Sequence, residues 1–131
     1  MKKEIIQTEK LSKPVGPYSL GVKVRGGNLL FISGQAPWDS QGGVVGKGDI
    51  VAQTDQTLKN LQAVLEAGGA SFEDVVKLTI YVTSFEGYQK IAEIRKKYFK
   101  DKFPASTMVE VNRLVDKDML IEIEAIAVVG D

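Results

Sequence analysis

The chain contains no histidine and no cysteine. Disulfides are therefore excluded, and so are zinc sites built on Cys or His ligands. Nucleophile systems that pair serine or cysteine with histidine are excluded as well. Any catalysis has to rest on carboxylates, Tyr, Ser, Lys, Arg, backbone groups and water. Charge of one sign is also missing: 17 basic side chains face 17 acidic ones, for a formal net charge of zero. A protein that grips nucleic acid through its phosphates needs a basic excess, so nucleic acid is not an expected partner. No apolar run approaches the length of a membrane span. The amino-terminal MKKEIIQTEK starts basic but has no apolar stretch behind it, and does not read as a secretory signal. A cytoplasmic address is the expectation.

What is present reads as one domain over residues 1–131, long enough for a single core. Residues 4–7 form a short strand. KPVGPYS follows, and its Pro14, Gly16 and Pro17 impose a fixed turn. LGVKVRGGNLLFISGQ reads as two strands around Gly26, Gly27 and Asn28, a hairpin signal. Residues 36–48 make a glycine-rich loop with a short strand at Val44 and Val45. Asp49 is an N-cap for a helix from Ile50 to Ala67, with Val51, Leu58, Leu61, Val64 and Leu65 on one stripe and Gly68 and Gly69 at its end. VKLTIYVTS alternates as a half-buried strand does. Ser84 caps a second helix to about Phe99, with Phe85, Tyr88, Ile91 and Tyr98 inward. Strands at about 107–111 and 119–129 complete an α+β order, a sheet with both helices on one face. The other face carries Thr79, Tyr81, Val109 and Val111. A face of that kind needs a partner, so a homo-oligomer is expected.

Four stretches could carry chemistry. In MLIEIEAIAVV, Glu122 and Glu124 point away from Ile121 and Ile123, with Cα atoms roughly 6.5–7 Å apart. Each either pairs with a cation on a neighbouring strand or acts as acid or base. GPYS places Tyr18 and Ser19 on a rigid turn, for packing or for a ligand. FISGQAP puts Ser33, Gly34 and Gln35 at a strand end, where glycine admits the close approach of a backbone or a ligand. IRKKYFKDK clusters Arg95, Lys96, Lys97, Lys100 and Lys102 near a helix C-terminus, where basic residues complement the helix dipole and stay solvated.

Taken together, GPYS, FISGQ, QTLKNLQAVLEAGGAS with VVKLTIYVT, and PASTMVEV followed by IEIEAIAV resemble the Rid family, the reactive-intermediate deaminases also called the YjgF family. The resemblance runs over about residues 4–129. It implies a chorismate-mutase-like α+β fold and a homotrimer with a central barrel. It also implies small-molecule pockets at the subunit interfaces, with no cofactor and no metal. Deaminating members hydrolyse an enamine or imine to a keto acid and ammonia. An iminium carbon is already electrophilic, so a positioned water and a carboxylate suffice. On this resemblance Glu122 is the catalytic position, and Tyr18, Ser33, Ser106 and Met108 bind substrate, Met108 through its backbone. Deaminating members read P-A-R-S-x-V-E-V, and the arginine grips the substrate carboxylate; this chain carries Ser106 there. Ala92 stands where many members have Asn. Arg113 matches a family arginine further along the chain. The implied activity is hydrolytic deamination of an imine or enamine other than the usual small 2-imino acids. The alternative is a trimer that binds a metabolite or regulates a partner without turnover.

Overall fold

The computed structural model describes residues 2–130. Six strands and two helices follow the order β1 (Lys2–Ile6), β2 (Gly21–Arg25), β3 (Asn28–Gln35), α1 (Ile50–Ala67), β4 (Val75–Val82), α2 (Tyr88–Phe99), β5 (Ala105–Glu110) and β6 (Ile121–Val129). Four of the strands form one sheet in the order β3-β6-β4-β5; β4 and β5 run parallel and the other neighbours antiparallel. Both helices lie on the same side of it, as the alternation in the strands anticipates. Leu78, Ile80 and Val82 of β4 and Ile121, Ile123 and Ala125 of β6 meet Leu58, Leu61 and Leu65 of α1 and Ile91, Ile94 and Phe99 of α2 in one core.

The expected hairpin between β2 and β3 does not form. β2 pairs with β1 in a separate two-stranded ribbon, and β3 joins β6. Gly26 and Gly27 have φ of 71° and 86°, which turns the chain through a corner between two sheets instead of back on itself. β2 sets Val22 opposite Ile5 within the ribbon, whereas Leu30 and Ile32 of β3 stand opposite Ala127 and Ala125 on the helix side of the main sheet. The ribbon is pinned at the end of the main sheet, where the Lys3 ammonium donates to the carbonyls of Glu73 (3.0 Å) and Val75 (2.9 Å).

The caps of α1 match expectation: Asp49 accepts from the amides of Val51 and Ala52. Val51, in the first turn, stays exposed, and Gln53, Thr54 and Thr57 are buried instead. Gln53 donates to Gly46 O and Asp118 O and accepts from Leu120 N, so one amide ties two loops to the helix. Asn60 donates to Ala36 O and Trp38 O and holds the start of the glycine-rich loop. The strand expected at Val44 and Val45 reduces to a single bridge between Trp38 and Val44. Ser84 caps a short 3-10 turn, Phe85–Gly87, before α2 begins. The tighter repeat of that turn carries Phe85 off the α2 stripe, and it is exposed.

Candidate functional site

Two groups of the expected site residues emerge, at opposite ends and on opposite faces of the sheet. The first lies on the open face, where β3 meets β6. Ile32 pairs with Ala125 and Gln35 with Ile123, so β3 carries one residue more than β6 over this span. Such a bulge re-aims side chains. Ser33 is exposed here, and Gly34 lies under the Glu122 side chain: a β-carbon at position 34 would stand 2.8 Å from Glu122 Cδ and closer still to Oε2. The glycine is what lets this carboxylate fold over β3. Among the described residues Glu122 has no salt bridge and no side-chain hydrogen bond, unlike Glu124, which accepts from the Tyr81 hydroxyl at 2.9 Å. That bond, with the carboxylate's charge, raises the Tyr81 phenol above its ordinary value. Tyr81 stands opposite Glu122 in register, but its hydroxyl reaches diagonally to Glu124. Glu124 is the held member and Glu122 the free one.

The second group lies at the other end of the sheet. The GPYS turn docks against the start of β5: Ser19 N donates to Pro104 O at 3.0 Å, and its hydroxyl donates to Phe103 O. Ser106 stands opposite Leu78 and Met108 opposite Ile80, which turns both toward the helices. β5 is an edge strand, so one side of its backbone is open for the main-chain contacts expected near Met108. Glu122 stands opposite Tyr81, three residues along β4 from Leu78 and on the other face. That separates it from Ser106 by roughly 10 Å along the strand before the sheet is crossed. Within one chain these residues therefore do not share a pocket. The hollow beside the β1–β2 ribbon, about 720 Å³, is lined by Lys3, Ile5, Glu73, Asp74, Asp101 and Lys102 and includes none of them.

Arg113 does not reach Ser106. Its guanidinium folds onto its own loop and donates to Leu114 O and Val115 O. The arginine beside Ser106 is Arg95 of α2. It is only 3% exposed, and its Nη2 donates to Pro17 O at 2.9 Å and to Ser106 Oγ at 3.1 Å. Its Nε has no partner. Burial pushes the guanidinium down to about 10, so it keeps its charge at neutral pH. The expectation of a solvated basic helix end holds for Lys96 and Lys97 but not for Arg95. Its position four residues after the buried Ile91 is the signal that marks it as inward-facing. Among the described residues no cluster of three or more His, Cys, Asp or Glu side chains could hold a metal ion, and no helix is long and apolar enough to cross a membrane.

A mixed sheet with both helices on one face defines an α+β protein. The family model described as Endoribonuclease L-PSP matches residues 8–129. A RutC family protein of Pyrococcus abyssi is 49% identical over 127 residues, covering 97% of this chain and 98% of that protein. A 2-iminobutanoate/2-iminopropanoate deaminase of Dermatophagoides farinae is 37% identical over 127 residues, covering 97% of each. Among solved structures, the Rid-family protein YyfB of Yersinia pestis, itself of unknown function, superposes with a TM-score of 0.89 at 34% identity, covering 98% of this chain and 100% of that one. The chain belongs to the Rid family.

Proposed function

We propose that the protein is a cofactor-independent hydrolase of imines or enamines, working as a cytoplasmic homotrimer with its pockets between subunits. Glu122 orients and deprotonates the attacking water. Tyr18, Ser33, Ser106 and the Met108 backbone hold the substrate, with the Glu122 group and the Ser106 group brought together from neighbouring copies. The observation that carries this reading is the Glu122 carboxylate, held over Gly34 and free of any cation or hydrogen-bond donor among the described residues. A carboxylate without a structural task is available to take a proton. The deaminase activity named for the Dermatophagoides farinae relative lends the reaction class. The open face supports assembly: Leu29 is 65% exposed and Phe31 69%. The equal counts of acidic and basic residues provide no basic excess for an RNA backbone.

Ser106 places no cation on β5. The small 2-imino acids, 2-iminopropanoate and 2-iminobutanoate, are therefore hydrolysed slowly compared with relatives that carry arginine at that position. Any grip on a carboxylate has to come from another element. This same feature favours the second reading, a trimer that binds a metabolite without turning it over. Ammonia release from a panel of imines generated in situ separates the two: turnover of at least one imine supports the hydrolase, and none across the panel leaves the binding protein.

A further inference from the structure

We propose that copies of this protein exchange β-strands: the outer edge of β2 in one copy pairs antiparallel with the free edge of β3 in the next. The inference deepens the reading above and rests on its homotrimer. Among the described residues β2 is bonded only to β1, and β3 only to β6. Each therefore leaves one row of backbone amides and carbonyls open. Natural proteins blunt such edges with charge, proline or a covering element. β3 has none of these. Its sequence, NLLFISGQ, holds no charged residue and no proline, and Leu29 and Phe31 stand exposed on it. It has the composition of an inner strand and the position of an edge. The chain's own β2 does not fill the place. Ser19 holds the residues before β2 to Pro104 and Phe103 at the start of β5, and Lys3 ties β1 to Glu73 and Val75. With those bonds in place, the strand that covers β3 comes from a second copy.

The two edges fit in one register. Val22 and Val24 share a half-buried face of β2, with Ile5 and Lys3 opposite them on β1. Setting Val22 opposite Phe31 and Val24 opposite Leu29 covers both exposed side chains with valines. A slip by one residue brings Lys23 onto that face instead, and a slip by two leaves Leu29 or Phe31 uncovered. The same register sets Leu20 opposite Ser33. The Pro17–Tyr18 turn, docked on its own β5, thereby arrives beside Ser33 and Gly34 of the next copy, where Glu122 lies. The two groups of site residues that stand apart within one chain meet across this joint. Each copy gives a β2 edge and receives one on β3, so the contact is head-to-tail and closes as a ring. Gly26 and Gly27, at φ of 71° and 86°, form the short hinge that sends β2 away from its own β3.

The test is disulfide trapping, which the absence of native cysteine makes clean. Val24→Cys and Leu29→Cys are placed together in one chain. The assembled protein is oxidised, its remaining thiols are alkylated, and it is run on a denaturing gel. The expected result is covalent trimer, with dimer as a partial product, both returning to monomer on reduction. Val22→Cys with Phe31→Cys is the second pair, for use where the first does not fold, and should give the same ladder. Lys23→Cys with Leu29→Cys puts the two thiols on opposite faces and should stay reduced. A disulfide confined to the monomer band overturns the proposal and returns β2 to its own β3. Thiols that stay free in both matched pairs overturn it as well. Light scattering and ammonia release on wild type keep this outcome separate from the reading above. A trimer without cross-links loses the exchange and keeps the hydrolase, and cross-linked trimers that hydrolyse no imine keep the exchange and lose the hydrolase.

Discussion

The Glu122 carboxylate lies over Gly34 so closely that a β-carbon there would stand 2.8 Å from its Cδ. Gly34→Ala therefore displaces this carboxylate and little else, since the colliding atoms are the mobile end of a side chain and Gly34 itself is exposed. Hydrolysis should fall about tenfold to a hundredfold, the scale of a misplaced catalytic group. The melting temperature should stay near that of wild type. Parallel kinetics and thermal melts on the two proteins check this; a large loss of stability with unchanged activity would count against the role of the glycine.

The proposed assembly places the open face between copies. Leu29 and Phe31 are exposed on β3, opposite Val128 and Ile126 of β6. Phe31→Asp puts a charge into that surface and should convert a trimer to monomers, with activity lost alongside. Light scattering at micromolar concentration reads the mass. A wild-type monomer would remove the shared pocket altogether.

Much of this was legible in the chain itself, for reasons that are local. Asp49 before an apolar stripe marks the start of α1, and the alternation of Leu78, Ile80 and Val82 marks the buried face of β4. What failed was non-local. Gly26 and Gly27 allow a corner as readily as a hairpin, and only the pairing of β2 with β1 decides between them. That Ser106 faces the helices depends on the parallel register of β5 with β4, which neither strand displays alone. Arg95 was concealed by its neighbours: a basic run suggests a solvated face, and the helical stripe through Ile91 outweighs that suggestion.

The two helices are pinned by Tyr98 of α2, whose hydroxyl donates to Asp55 of α1 at 2.6 Å. This bond is the first cause holding the Asp55 carboxyl below its ordinary value, with Lys59 adding to it. A carboxyl depressed in the folded state adds stability above its unfolded pKa, near 4, and that contribution fades as pH falls through the lower folded value. Tyr98→Phe should therefore cost about 1 kcal/mol at neutral pH, a figure kept low because Asp55 is partly exposed. The gap between wild type and variant should close below about pH 4. Urea titrations across that range check the sign; a gap that widens in acid would contradict it.

The most direct test of the whole account is ammonia release by wild type and Glu122→Gln, assayed side by side on imines generated in situ. The amide keeps the shape of the side chain over Gly34 and removes only the base. Turnover should fall by about two decades or more, the usual contribution of a general base, while mass and melting temperature hold. Glu124→Gln, which weakens the bond to Tyr81, should affect stability more than rate. Undiminished turnover in Glu122→Gln would show that the free carboxylate on the open face is not where this protein does its chemistry.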